Sequence, residues 1–369
     1  MRIRIPASIG GLFLSLLLWV ACPSQVLGRD GVVIGVNQVN LAWLPAPQRQ
    51  DAIASMADAG VGAVRLTLNP PFPASLDAVE QAVRRGLQVV LAVSLNVDAY
   101  YSPGISPRAG GRVESAYPLS AIRPERFQQV FQDLWSELER RQIRLLAMEV
   151  GNEINWAFNG DVAAQAGRPG QVHTDLSRMP GGGAYQRGLD RYMDLLRIVH
   201  EQRSRSAVNR DMLILAAGMA RIRPDFAAAM KADVVDAGTT LSLLAEKGLS
   251  RYADAAAIHY YPAPGATPVE RREALDAALK ECGLGRTARS CWMTEWGISN
   301  AARACPLNDD ARADLVRETR RNLAEHARRG SLEAAFYFEW DGRTARSIWR
   351  CGGLTEAGRL AIAPLGARP

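Results

Sequence analysis

The chain has 369 residues, of which 48% are hydrophobic and 22% charged, with a formal net charge of +6, so it can bury a large core and is too apolar for a disordered chain. Nearly all the positive charge is Arg, with Lys only at 231, 247 and 280. These cations are scattered along helical segments without a basic run or an aromatic-basic motif, so nucleic acid is excluded as an expected partner.

Met1-Arg2-Ile3-Arg4 and the apolar run from Ile9 to Ala21 have the shape of a secretory signal. The run is short for a bilayer span. Val26-Leu27-Gly28 offers small residues for cleavage, which predicts a leader over 1–28 and one mature domain over 29–369. Val20-Ala21-Cys22 is the competing reading, a lipoprotein site, but Trp19 stands where Leu is usual. Losing Arg2 and Arg4 lowers the charge to about +4. No later segment is apolar for long enough to insert in a membrane, and a monomer is expected.

Short apolar runs bounded by turn residues predict strands at Val32 to Val36, Ala63 to Leu66, Gln88 to Val93, Leu145 to Val150, Met212 to Ala216, Ala255 to Tyr260, Ser290 to Thr294 and Ala334 to Phe338. Helical patterns fall between them, near 47–59, 75–85, 124–141, 184–205, 225–246, 268–281 and 310–329. Eight alternating units predict an α/β fold, a single (β/α)8 TIM barrel. An open doubly wound sheet is the alternative, but no Gly-rich phosphate turn follows the first strand. Two connections are long, Ser94 to Ile122 after strand 3 and Ile154 to Gly183 after strand 4. Both follow strand C-termini, where barrel enzymes build their sites, so with Tyr100, Tyr101, Tyr117 and Trp156 they are expected to wall a cleft; mobile surface insertion is the bland reading.

Beyond Cys22 there are four cysteines, an even count in a chain read as exported. Cys282 ends a helix and Cys291 opens the next strand, at the barrel bottom, whereas Cys305 and Cys351 follow strands 7 and 8 at the top. A disulfide cannot reach across a barrel, which predicts Cys282 with Cys291 and Cys305 with Cys351.

Two acids stand where apolar strands give way to turns: Glu153 in Met148-Glu149-Val150-Gly151-Asn152-Glu153 and Glu295 in Trp292-Met293-Thr294-Glu295-Trp296-Gly297. Glycosidic hydrolysis needs a proton donor and a second carboxylate facing the sugar cation, so paired strand-end acids point to that chemistry. With Arg65 on strand 2, His259-x-Tyr261 on strand 6 and Trp340 at strand 8, the chain resembles clan A of the glycoside hydrolases over its mature length. That clan ends strand 4 with Asn-Glu, matching Asn152-Glu153, and strand 7 with a lone Glu, matching Glu295. The resemblance implies a retaining β-glycosidase with carboxylates about 5 Å apart, Glu295 as nucleophile and Glu153 as acid/base. Asn152 would bond the sugar 2-hydroxyl, and Arg65 and Tyr261 would hold Glu295 ionised.

His259 and Tyr261 are two apart and are expected on one face at the barrel mouth; the bland alternative for His259 is a satisfied core histidine. His173, His200 and His326 lack ligand spacing, so neither a metal nor another cofactor is expected. Glu149 lies in an otherwise apolar strand and needs a buried cation, with Arg65 as the natural partner. Trp340, Trp296 and Trp156 are the candidate sugar-stacking platforms, Trp340 foremost. Glu339 would turn away from the site if Trp340 points inward. Trp135, four after Phe131 in a helix, reads as core. The expected substrate is a β-linked polysaccharide or oligosaccharide, with endo action preferred and a bacterial exopolysaccharide or cell-wall glycan in view. A glycan-binding barrel without turnover and a transglycosylase using the same acids are the rivals.

Overall fold

The computed structural model describes residues 31–162, 168–302, 304–342 and 344–365. The expected leader, both cleavage readings and Cys22 lie outside them. Eight parallel strands close into a barrel: β1 (Val33–Gln38), β2 (Ala63–Leu68), β3 (Gln88–Val93), β4 (Ala147–Asn152), β5 (Leu213–Met219), β6 (Ala255–Tyr260), β7 (Cys291–Trp296) and β8 (Leu332–Tyr337). The sheet runs in chain order and β8 pairs with β1. The expected TIM barrel is therefore the observed fold. Several strands run past their apolar stretch, because polar Asn37, Gln38 and Asn152 still pair in the ladder and carry it to the barrel mouth.

Alternation along each strand divides the core in two. Inward side chains, among them Val33, Val90, Leu215, Trp292 and Phe336, fill the barrel. Trp292 and Phe336 stack at 6.2 Å. Gly35 leaves room for this: a Cβ there would sit 2.4 Å from the Phe336 ring. Outward side chains such as Val64, Leu91 and Ile258 meet the helices.

The surrounding helices are α1 (Ala46–Asp58), α2 (Phe72–Arg84), α3 (Pro124–Arg140), α4 (Gly182–Arg205), α5 (Pro224–Met230), α6 (Ala237–Glu246), α7 (Pro268–Gly283), α8 (Asp310–Arg328) and α9 (Glu356–Ile362). The single helix expected over 225–246 is two. Lys231 adopts φ 51° and ends α5, Val234–Val235 pairs with Val172–His173, and Asp236 caps α6 by accepting from the Thr239 amide. The α9 helix, capped by Thr355, was outside the expected set.

The two long connections are ordered against each other. The Leu119 amide donates to Asn159 Oδ1, and the Ser120 amide and hydroxyl donate to Asp161. Gly111 lies against the Lys231 backbone, and the Arg112 amide donates to the Met230 carbonyl. Tyr100 and Tyr101 do not line a cleft: both are buried inside this wall, Tyr100 against Phe127 and Tyr101 stacked on Tyr117.

Both disulfides have the expected partners, Cys282–Cys291 and Cys305–Cys351, each with Cα atoms 5.8 Å apart. Two disulfides fit an oxidising extracellular or periplasmic setting. Among the described residues no helix is long and apolar enough to cross a membrane.

Candidate active site

The site is organised around the buried guanidinium of Arg65 on β2. Its Nε donates to Glu149 Oε2 at 2.5 Å, Nη1 to Glu295 Oε1 at 2.9 Å and Asn37 Oδ1 at 3.0 Å, and Nη2 to Asn152 Oδ1 at 2.7 Å. Three other strands, β1, β4 and β7, are thereby drawn to one cation. Glu149 also accepts from the Gly218 amide at 2.7 Å and the Thr294 hydroxyl at 3.2 Å, so its buried charge is fully engaged. Asn37, which sequence reading passed over, donates to the Thr294 carbonyl at 2.9 Å and ties β1 to β7.

Glu295 reaches the interior through a break in alternation. Opposite β6, Ile258 pairs with Met293 and His259 with Glu295, so β7 carries one extra residue, Thr294. The same extra residue appears against β8. Such a bulge turns consecutive side chains to the same face. Thr294 and Glu295 accordingly both bond Arg65 or its partner Glu149, and Trp296 turns outward.

Tyr261 donates its hydroxyl to Glu295 Oε2 at 2.6 Å. His259 Nδ1 lies 2.8 Å from Glu153 Oε1 and 3.5 Å from Glu295 Oε2. Burial opposes the Glu295 anion, but the His259 and Arg65 charges and the Tyr261 hydroxyl outweigh it and hold the carboxyl below its usual range. Burial likewise opposes the His259 cation, and the Glu295 charge with the bond to Glu153 raises its pKa all the same. Tyr261 is pushed well above its ordinary value by burial and by Glu295, so it remains a donor.

Glu153 sits just past β4 at φ 44°, two residues after Gly151 at φ 86°. A non-glycine residue in this region costs about 1–3 kcal/mol. Two hydrogen bonds flank the strained residue: its amide donates to the Gly218 carbonyl, and the Trp156 amide donates to its carbonyl, both at 2.9 Å. Buried Asn155 bonds the Ala220 and Val235 carbonyls and the Ala220 amide, fastening this turn to the end of β5. Neither Asn155 nor Gly218 was among the sequence candidates. A Cβ on Gly218 would lie 2.2 Å from His259 Nε2, so glycine is what admits the imidazole.

One oxygen each of Glu153 and Glu295 and one nitrogen of His259 all lie within 4.8 Å of one another. Among the described residues this is the one grouping with metal-ligand spacing. The grouping is already paired by its own neighbours: Arg65 bonds Glu295, and His259 Nδ1 is spent on Glu153. The remaining histidines are engaged elsewhere, His326 with Asp276 at 2.7 Å, His173 with Asp233 at 3.4 Å, and His200 against the Tyr252 ring.

No family model and no curated protein matches the chain. Solved structures do. It is similar to fungal β-1,4-galactanases, with TM-score 0.53 and 13% identity over 89% of this chain and 93% of the other. The catalytic domain of the major endoglucanase from Xanthomonas campestris pv. campestris aligns with TM-score 0.51 and 14% identity over 93% and 98%. A glucosidase from Croceicoccus marinus aligns with TM-score 0.54 and 12% identity over 92% and 68%. These neighbours are clan A glycoside hydrolases, the superfamily whose motifs the sequence resembles, and at such identities the likeness is one of fold.

The aromatic candidates need correction. Trp340 has no exposed surface: it points out of the barrel, stacks on Trp349 at 5.1 Å and donates Nε1 to Ser55 Oγ on α1. Trp296 is likewise buried, edge-on to Tyr337. Neither offers a face to a sugar. Phe338, just past β8, stands edge-on to Tyr261 at 6.3 Å and is the aromatic this connection brings to the site. With Trp340 outward, Glu339 is not turned away; burial and then the Glu295 charge, among opposing hydrogen bonds, push its carboxyl up. Trp156 is half-buried against Phe226. Among the described residues the most exposed large aromatic is one the sequence reading omitted: Trp43, 62% exposed after β1, with Nε1 donating to the Pro70 carbonyl at 3.0 Å.

Proposed function

We propose that the chain is an exported retaining glycosidase that cleaves β-linked bonds in a polysaccharide or oligosaccharide. The observation that carries this reading is the approach of Glu153 and Glu295 oxygens to within 4.8 Å. Carboxyls about 5–5.5 Å apart suit a double displacement, whereas inversion needs roughly 6.5–9.5 Å to admit a water between them. A Glu295 oxygen attacks the anomeric carbon while Glu153 protonates the departing glycosidic oxygen. Glu153, now a carboxylate, then takes a proton from water as the water oxygen displaces Glu295. His259 bonds one Glu153 oxygen and leaves the other for this shuttle. Arg65 and Tyr261 keep Glu295 anionic for attack, and Asn152, fixed by Arg65, is at hand for the sugar 2-hydroxyl.

The structural neighbours named as galactanase, endoglucanase and glucosidase support the same chemistry. Endo action is supported by aromatics on opposite sides of the mouth. Trp43 follows β1, while Trp156, Phe158 and Phe226 follow β4 and β5 across the barrel. Aromatic faces on both sides of the catalytic acids suit a glycan chain that runs across the mouth in both directions. The leader at 1–28 and the disulfides support export.

A fluorinated glycoside that traps the covalent intermediate, together with a panel of β-glycans, tests the proposal. The label is expected on Glu295. Glu295→Gln should abolish turnover, and Glu153→Ala should lose about 10²- to 10⁴-fold. Labelling elsewhere, or no turnover of any β-glycan, defeats it.

A further inference from the structure

Arg346, in the connection between β8 and α9, has no role in the chemistry above. Its guanidinium carbon lies 4.4 Å from the centre of the Tyr261 ring, the residue that holds Glu295. Its stem packs over Gly297, where a Cβ would come within 3.2 Å of its Cδ. The backbone is anchored from below: buried Arg312 donates to the Ser347 carbonyl at 3.0 Å and the Arg346 carbonyl at 3.3 Å, and pairs with Asp309 at 2.6 Å. The cation is thus held in place beside the nucleophile.

Yet it is not paired. Among the described residues Arg346 forms no ion pair, and its Nε is buried without an acceptor. An unsatisfied buried donor is costly and calls for a partner. The nearby acids do not supply one. Glu295 is committed to Arg65 and Tyr261, and Glu339 accepts from Ser347. Arg346 as a whole is only partly buried, which leaves part of the side chain open to a ligand.

We infer that Arg346 binds the carboxylate of an acidic sugar unit next to the one being cleaved, so that the substrate is a uronate-bearing glycan. A planar fork of N–H donors matches a carboxylate in two parallel hydrogen bonds, and the Tyr261 ring 4.4 Å away supports one side of that fork. The inference rests on the glycosidase reading for the position of the cleaved unit, but the binding it asserts is measurable without turnover.

The test uses the full mature chain carrying Glu295→Gln, titrated calorimetrically with neutral β-linked oligosaccharides, their uronosyl-bearing counterparts and sulfated counterparts. The uronosyl ligands should bind best, and less tightly as salt rises. Adding Arg346→Met should weaken them by about 10- to 100-fold and neutral ligands by no more than about threefold. Arg346→Lys, which keeps the charge without the fork, should recover part of the loss and guards against a folding defect in the Met variant. Absence of uronate binding at millimolar concentration overturns the inference. So does equal loss for neutral and acidic ligands, which would make Arg346 a support for Tyr261 only, or a preference for sulfate. Wild-type cleavage of neutral glycans without discrimination removes the inference and leaves the glycosidase. Arg346-dependent uronate binding without cleavage of any glycan removes the glycosidase and leaves the inference.

Discussion

Arg65 balances two buried carboxylates, and its removal exposes the imbalance. Arg65→Met should leave Glu149 uncompensated among apolar strands and destabilise the fold by about 3–5 kcal/mol, measured by urea denaturation. Tyr261→Phe is gentler: Glu295 loses one donor and its pKa climbs. The acid limb of kcat/KM should therefore move to higher pH by about one unit, since a hydrogen bond to a charged group is worth about 1.5–3 kcal/mol. An unmoved limb would mean that Tyr261 does not tune Glu295. The two shifted groups also shape stability. The depressed Glu295 contributes stability above its ordinary value of 4.5, lost as pH falls through its lower folded value. The raised His259 contributes below 6.5, lost as pH climbs through its higher folded value. The urea midpoint of wild type should accordingly exceed that of His259→Asn most at mildly acidic pH, and the gap should narrow toward alkaline pH.

Elements decide which of these side chains can meet. Gly218, near the end of β5, is a tight passage: Gly218→Ala should push His259 out of line between the carboxylates, at an overpacking cost of about 1–3 kcal/mol and with a larger fall in kcat than in Tm would indicate. Full activity in that variant would show the imidazole free to move. The eight strands were legible because each is a short apolar run between turn signals, and the motif residues were legible because they end those runs. Trp296 and Trp340 were misassigned for a physical reason. Strict alternation holds only while the ladder is regular, and the extra residue in β7 and the turn after β8 reverse which neighbour faces inward. The break between α5 and α6 was hidden because Lys231 has no glycine-like signature, although Asp236 three before Thr239 was a readable cap. Asn37 and Asn155 escaped notice because their work is long-range bonding to backbone that only the closed barrel brings near.

At the scale of the molecule, the barrel bottom and mouth are each stapled once. Cys305–Cys351 closes 46 residues of chain beside the site, against 9 for Cys282–Cys291. By loop-closure entropy these restrain the unfolded chain by about 4 and about 3 kcal/mol. Replacing the Cys305–Cys351 pair by Ser should thus cost more stability than replacing the other, and should also raise KM by loosening the connection that carries Arg346; a KM untouched by the change would separate that loop from substrate binding. The inserted Thr294 has a further consequence for lineage. Deleting that single codon would restore period two along β7 with Glu295 still facing inward and Trp296 still facing outward, at the loss of the Thr294 hydroxyl that donates to Glu149. Relatives with and without this extra residue can therefore hold the same carboxylate at the barrel mouth, so those that have abandoned turnover are to be recognised by the loss of the acid and not by the length of the strand.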